Sequence, residues 1–172
     1  MTNRRPSPRS APIAGLLFAA CCLLPCQAQK VLHRWDFSRG KGDWFAANSC
    51  APLEVENDEL VVRVTGFDPF IHSSRTGPDF RVDAHRGVII RLTARCTVPE
   101  TAVFFWAATD EGPYAGFEGG KEIHFRMHGD NRLHTYSVFP DWEGPVTRLR
   151  FDPPGNEDEA AVVRIASIEI LE

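Results

Sequence analysis

The chain has 172 residues, a formal net charge of −4, 24% charged residues and 43% hydrophobic residues. This length is typical of one domain. No run of lysine or arginine supplies the basic footprint that nucleic-acid binding requires, so nucleic acid is not an expected partner.

Residues 1–28 have the order of charge and apolarity that is typical of a signal peptide. Three arginines in the first nine residues precede an apolar run over 13–24, and small and polar residues follow. That run has about a dozen residues, whereas a membrane-spanning helix needs roughly 20. We predict cleavage before Gln29, which leaves residues 29–172 as one secreted or periplasmic domain without a membrane span. A buried core helix is the alternative for this segment.

Removal of the segment changes both the charge and the cysteine content. It takes away three arginines and no acid, which lowers the formal net charge from −4 to −7, and it leaves Cys50 and Cys96 of the five cysteines. In an exported domain this pair could form a disulfide that closes a loop of about 45 residues and contributes on the order of 3–4 kcal/mol; two buried free thiols are the alternative. Lipoprotein anchoring at Cys21 or Cys26 is less expected, because the residues before each cysteine fit such a site poorly.

Several segments alternate apolar and polar residues with a period of two, which indicates half-buried β-strands. In chain order, strands are predicted at 60–65, 88–95, 101–108, 122–128, 132–139, 146–152 and 161–171. The segment 101–108 is apolar on both faces, which predicts a central strand covered on each side. Glycine-rich and proline-rich turns separate these segments, and no helical period is sustained. We therefore predict an all-β fold, an antiparallel sandwich or jelly roll of about eight or nine strands.

Seven aromatic-rich motifs are spread over residues 31–172: Trp35-Asp36-Phe37, Gly42-Asp43-Trp44, Gly66-Phe67-Asp68-Pro69, Phe105-Trp106, His134-Thr135-Tyr136-Ser137-Val138, Trp142 and Leu149-Arg150-Phe151-Asp152-Pro153. Together they resemble carbohydrate-binding-module-like β-sandwich domains, the galactose-binding-like jelly rolls of polysaccharide-degrading bacteria. The resemblance implies a secreted domain that binds a polysaccharide without catalysis. Because a fold does not determine a function, a structural or protein-interaction domain of the cell envelope is the alternative.

Sugar binding needs aromatic rings that stack on pyranose faces and polar groups that hydrogen-bond hydroxyls. Two aromatic residues in polar surroundings are the candidates: Tyr114, in the loop 109–121, and Trp142, between two acids. Exposed aromatic side chains on loops usually have a functional reason. Both rings could instead fold back onto the core. Trp106 and Tyr136 are expected in the core, and Trp35 and Trp44 at the edge of the sandwich.

A second candidate is a basic surface. His124, Arg126 and His128 lie on one predicted strand, and Arg132 and His134 lie on the next. A three-residue turn at 129–131 would gather them on one face that suits sulfate or uronate groups, whereas a two-residue turn would separate them. A solvated outer sheet face is the alternative.

No cofactor is required, but similar modules often hold a structural calcium ion between their first and last strands. Carboxylate oxygens are the ligands that calcium prefers. Asp36, Glu54 and Glu169 are therefore the candidate metal ligands.

Catalysis is not expected. No predicted strand carries the pair of carboxylates that retaining glycoside hydrolysis needs, and the sequence has no nucleophile elbow, metalloprotease helix or phosphate-binding loop. Glu122-Ile123-His124 is similar to the Gln-Ile-His element of jelly-roll alginate lyases, but the other motifs of those enzymes are missing. A lyase-like enzyme, with Arg126, His124 and Tyr136 converging in a cleft, is the third hypothesis.

Overall fold

The structure is a computed structural model. It describes residues 29–73, 81–84, 87–112, 114–155 and 160–172. The predicted signal peptide, with the cysteines considered for lipoprotein anchoring, lies outside the described residues.

The described residues form thirteen β-strands and no helix: β1 (Val31–Asp36), β2 (Trp44–Asn48), β3 (Glu54–Glu56), β4 (Glu59–Arg63), β5 (Phe70–Ser73), β6 (Val82–Ala84), β7 (Ile89–Cys96), β8 (Thr101–Ala107), β9 (Glu122–Arg126), β10 (His134–Val138), β11 (Gly144–Val146), β12 (Arg148–Asp152) and β13 (Val162–Leu171). All seven predicted strand segments contain a strand. The predicted number of strands was too low, because strands of three or four residues are too short to show a period. No helix that could cross a membrane is found in this part of the chain.

Two antiparallel sheets make the sandwich, which confirms the predicted fold class. One has the order β10-β7-β13-β4-β3, and β1 pairs with the second half of β13; the other has the order β2-β5-β12-β8-β9. Strands β6 and β11 form a separate pair. Strands β3 and β4 form a tight hairpin, in which Asn57 and Asp58 both have positive φ, as a two-residue type I′ turn requires.

The core lies between the two sheets and follows from the alternation within each strand. Fully buried side chains from the six-stranded sheet face fully buried side chains from the five-stranded sheet, and each such residue contributes about 1.5–3 kcal/mol. They include Leu60, Val62, Ile90, Leu92, Ile165 and Ile168 on one side, and Ile71, Phe104, Leu149 and Phe151 on the other.

The strands on either side of Gly129 belong to different sheets. Strand β9 pairs with β8 and strand β10 pairs with β7, so the two strands do not form a hairpin. The chain crosses between the sheets here, with Met127 buried and Gly129 so close to Pro99 that a Cβ at position 129 would lie 2.4 Å from the proline. Neither turn considered for this segment is therefore present.

The outer face of the six-stranded sheet carries a network of ion pairs, which we call the charge ladder. Glu59 contacts Arg95 and lies 4.0 Å from Arg164, whose guanidinium is 2.6 Å from Glu56; Glu56 in turn is 2.8 Å from Arg63. Acidic and basic side chains thus alternate across β3, β4, β13 and β7.

Cys50 and Cys96 are free cysteines, so the disulfide considered from the sequence is not formed. Cys50 bridges Val64 just beyond β4, β4 pairs with β13, and Cys96 pairs with β13 from the other side. Three strand spacings, about 14 Å along the sheet, separate the two residues, whereas bridged cysteines need Cα atoms within about 7 Å.

Burial, with a smaller contribution from Asp152, raises the pKa of the Cys50 thiol to about 12, so this thiol is unreactive at neutral pH.

Candidate ligand-binding face

A row of five side chains crosses the outer face of the five-stranded sheet, one from each strand. Phe45 lies opposite His72, His72 opposite Arg150, Arg150 opposite Phe105 and Phe105 opposite Glu122. These side chains point away from the core because their neighbours in sequence are buried: Trp44, Ile71, Leu149, Phe151 and Phe104. Together with Phe70, which is two residues before His72, we call them the aromatic face.

Arg150 forms the centre of the aromatic face. Its guanidinium carbon lies 3.7 Å from the centroid of the Phe70 ring and 4.8 Å from that of Phe105. Two of its nitrogens each donate a hydrogen bond of 2.6 Å to the Asp152 carboxylate, and Asp68 is 3.5 Å away. Because the charge is paired and the side chain is only 13% exposed, Arg150 holds the two rings in place and is not a free cation.

His72 is enclosed by aromatic rings. The ring centroid of Phe45 is 3.9 Å from that of His72, and the centroid of Phe117 is 5.8 Å away. Burial, together with the positive charges of Arg148 and Arg150, lowers the pKa of His72 from its ordinary value of 6.5. The imidazole is therefore neutral at physiological pH.

A groove of about 320 Å³ lies on the aromatic face, within the size range of small-ligand sites. Its lining combines the sheet with one loop: Ala47, Phe70, His72 and Arg150 come from the strands, and Tyr114, Ala115 and Phe117 come from the loop between β8 and β9. Tyr114 is 72% exposed and Phe45 is 37% exposed, so both rings offer a surface to a ligand.

The loop wall is held by its own backbone and by Arg148. The Phe117 amide donates to the Tyr114 carbonyl at 3.1 Å, the buried Arg148 donates to the Ala115 carbonyl, and the Arg148 guanidinium lies over the Phe117 ring. Gly116 has φ +85, and a Cβ there would lie 1.8 Å from the Thr109 carbonyl oxygen. Only glycine fits this position.

We expect Gly116→Ala to destabilise the domain by more than about 1 kcal/mol, because alanine is strained at positive φ and its Cβ would overlap the Thr109 carbonyl, and to displace the loop that carries Tyr114. Thermal unfolding and hydrogen exchange of the loop amides measure the two effects. Gly119→Ala is the matched control, since a Cβ there meets nothing within 4 Å. Equal effects of the two substitutions would contradict a tightly packed loop.

The other aromatic candidate, Trp142, is 1% exposed and packs edge-on against Trp106, with ring centroids 5.9 Å apart. Its ring presents no face to solvent, because it folds inward between two exposed acids. Of the two aromatic residues chosen from the sequence, the structure therefore leaves only Tyr114 available for stacking.

The candidate basic residues fall into two groups and do not gather on one face. His124 lies beside Glu122 at 3.3 Å, and Arg126 donates to the Pro99 carbonyl at 3.1 Å, both on β9. His134 is on β10 of the other sheet, where it contacts Asp130 of the preceding loop at 2.9 Å and stacks on His128, with ring centroids 4.4 Å apart. Tyr136 also belongs to that sheet and accepts a hydrogen bond from the His128 amide. The basic face is not formed, and the three residues of the lyase hypothesis do not converge.

The candidate metal ligands are also apart. Asp36 accepts a hydrogen bond from Ser38, Glu54 lies 3.9 Å from Arg63, and Glu169 lies between two arginines, Arg34 and Arg91. The part of the chain that the structure describes contains no group of three His, Cys, Asp or Glu residues that could hold a metal ion. Calcium binding stays a prediction, but these three residues do not provide one ligand set.

Sequence reasoning missed most of the aromatic face. It assigned Phe105 to a strand covered on both sides, but only the side of β8 that carries Ala102, Phe104 and Trp106 is buried. The available signal was the alternation in Phe70-Ile71-His72 and in Arg148-Leu149-Arg150, where an aromatic or charged residue flanks a core residue.

Comparison with known proteins gives matches by structure alone. No family profile matches the sequence, and no curated protein matches it. Among solved structures, the apo form of the module CBM1 of BiXyn10A is 10% identical, with a TM-score of 0.56, over 83% of this chain and 99% of that one. A CBM4 structure is 15% identical, with a TM-score of 0.53, over 77% and 99% of the two chains. The low-affinity xylan-binding module CBM86 from Roseburia intestinalis is 10% identical, with a TM-score of 0.55, over 81% and 95%. The chain therefore has the β-sandwich fold of carbohydrate-binding modules.

Proposed function

We propose that this chain is a secreted, non-catalytic polysaccharide-binding domain whose ligand lies on the aromatic face and against Tyr114. The observation that carries the proposal is the row of aromatic and polar side chains on one open sheet face, next to a groove with an exposed tyrosine ring. Aromatic faces for stacking, with polar groups for hydroxyls around them, are what sugar recognition requires. The order of residues 1–28 supports export, and the solved structures of similar fold are carbohydrate-binding modules.

The dimensions of the aromatic face favour a glycan chain over a single sugar. Phe45 and Phe105 lie on strands that are three spacings apart, about 14 Å. One pyranose ring cannot contact both. A glycan chain that runs across the strands would contact Phe45 at one end and the Glu122 carboxylate at the other. Between them it would pass the groove at Phe70 and His72.

The charges on this face favour an uncharged glycan. Arg150 is paired with Asp152, and Glu122 lies beside His124. His72 is neutral, as its lowered pKa requires. Sulfated or uronate-rich glycans would need unpaired cations. The side chains that make up the aromatic face do not supply one.

The test is a glycan array on the protein without residues 1–28, followed by calorimetry with the best ligand. We expect Tyr114→Ala and Phe45→Ala each to weaken binding about tenfold, the equivalent of about 1.4 kcal/mol. Phe139→Ala is the matched control, because Phe139 is 65% exposed but follows β10 of the other sheet.

Two outcomes would contradict the proposal. If the parent protein binds no glycan, the function is wrong, and a structural or protein-interaction role in the envelope becomes the better explanation. If Phe139→Ala weakens binding as much as Tyr114→Ala does, the aromatic face is not the site. Trp142→Ala does not report on the site, because loss of a fully buried tryptophan costs about 3–5 kcal/mol of stability.

A further inference from the structure

The buried Arg148 links the sheet to the loop that forms the wall of the groove. One of its terminal nitrogens donates to the Ala115 carbonyl of the loop, and the other lies 3.1 Å from His72 Nδ1 on β5. Its guanidinium carbon is 4.9 Å from the centroid of the Phe117 ring. Arg148 itself is only 4% exposed. Arg148 therefore contributes to the position of the loop, and two of its contacts are a loop carbonyl and an imidazole of the sheet.

His72 Nδ1 has two neighbours that it cannot satisfy at once. Arg148 can only donate a hydrogen bond, so contact with it requires an Nδ1 that carries no proton. The Ser73 carbonyl, 3.2 Å from the same nitrogen, can only accept, so contact with it requires a protonated Nδ1. The protonation state of this atom selects one contact and excludes the other.

We propose that Arg148 is a positioning residue that holds the loop wall, with Tyr114, over the aromatic face, and that protonation of His72 releases it. The proposal rests on the proposed function, because it concerns the same groove. When Nδ1 takes up a proton, it donates to the Ser73 carbonyl, and a positive imidazolium then faces a positive guanidinium. The contact between Arg148 and His72 is then lost, and Arg148 no longer holds the Ala115 carbonyl in place. The loop moves away from the aromatic face, and glycan is released on acidification.

Among the residues that the structure describes, the other groups around His72 do not counter this effect. Strand β2 contributes Phe45, the loop contributes the Phe117 ring and the Tyr114 phenol, and β12 contributes a second cation, Arg150. The nearby acids Asp68 and Asp152 are engaged with Arg150. The pKa of His72 is lowered from its ordinary value of 6.5 while the contact with Arg148 is intact. Above pH 6.5 the imidazole is therefore neutral, and below pH 6.5 acid favours the open arrangement, in which His72 is protonated.

The first test measures the loop without any glycan. Hydrogen exchange of the Ala115 and Phe117 amides, expressed as protection factors, is followed from about pH 8 to about pH 5. We expect constant protection at neutral pH and a decline below pH 6.5 that approaches about tenfold per pH unit. In His72→Gln, whose amide oxygen can accept from Arg148 at every pH, protection should not change with pH. In Arg148→Lys, which keeps the charge but cannot bridge both partners, protection should be low throughout.

The matched control is His33→Gln. His33 is a half-buried histidine that contacts Trp35 on β1, in the sheet that does not contain His72. This variant should keep the pH dependence of the parent. Flat protection in the parent, or a parent-like decline in His72→Gln, would overturn the proposal. If Arg148→Lys fails to fold, the comparison of His72→Gln with the parent still decides.

The second test measures glycan affinity over the same pH range, with the best ligand from the array. Affinity that falls with acid in the parent and stays flat in His72→Gln supports the link between the loop and binding. Glycan binding combined with flat loop protection overturns the release mechanism and leaves the proposed function intact. The reverse, loop protection that follows His72 in a protein that binds no glycan, overturns the proposed function and leaves the role of Arg148 in the loop intact.

Discussion

Arg150→Met is expected to destabilise the domain by about 2–4 kcal/mol at neutral pH and to abolish binding on the aromatic face. Arg150 and Asp152 are both largely buried, with side chains 13% and 17% exposed and two hydrogen bonds of 2.6 Å between them. Loss of one partner leaves the other charge without compensation, which typically costs several kcal/mol for a buried pair. The rings of Phe70 and Phe105 also lose the guanidinium between them. Chemical denaturation measures the stability, and calorimetry measures the binding.

The stability deficit of Arg150→Met should shrink as the pH falls. Burial raises the pKa of Asp152 even beside Arg150, and removal of the arginine takes away the main influence that lowers it. An acid whose pKa is higher in the folded state than in the unfolded state destabilises the fold at pH values above its unfolded pKa, and protonation removes that penalty. The variant should therefore approach the parent in stability between neutral pH and about pH 4.

The double variant Arg150→Met, Asp152→Asn separates charge from packing. It should recover much of the stability, because no buried carboxylate is left unpaired, but it should not recover binding, because the rings still lack their support. Arg34→Met is the matched control: Arg34 is 54% exposed and 3.3 Å from Glu169, and such a surface pair contributes less than about 1 kcal/mol. Equal effects of Arg34→Met and Arg150→Met would contradict a central role for Arg150.

Period-two alternation identified strands where one face is core and the other is charged. Strand β7 is the clearest example, with Ile90, Leu92 and Ala94 fully buried and two polar residues, Arg91 and Thr93, between them. The rule failed for β8, because an apolar side chain on an open sheet face has the same sequence signal as one in the core. Val103 and Phe105 gave the appearance of a doubly covered strand, although they face outward from the sandwich.

The candidate site was only partly predictable, because its residues come from distant parts of the chain. Tyr114 could be found, since an aromatic residue among glycines and acids is unusual. Phe45, His72 and Arg150 come together only through the strand order β2-β5-β12, and no local pattern indicates that order. Trp142 has acidic neighbours like an exposed residue, but its side chain points into the core.

Glu59→Gln is expected to destabilise the domain by about 2 kcal/mol through the charge ladder. Glu59 is 9% exposed and is the carboxylate that contacts Arg95, with Arg164 4.0 Å away. An amide leaves Arg95 without a negative partner, whereas Arg164 keeps Glu56. Hydrogen bonds to charged groups contribute about 1.5–3 kcal/mol, and the lower part of this range applies because Arg95 is about one third exposed.

Glu54→Gln is the control on the same face, since Glu54 is 62% exposed and 3.9 Å from Arg63; we expect a change within about 0.5 kcal/mol. Urea denaturation at low and high salt distinguishes the two positions. Salt screens exposed charges more strongly than buried ones, so the deficit of Glu59→Gln should persist in about 1 M salt, whereas any effect of Glu54→Gln should disappear. A Glu59→Gln deficit that vanishes with salt would mean that the charge ladder acts as a set of exposed surface pairs, and the stability of this sheet would then rest on its apolar face alone.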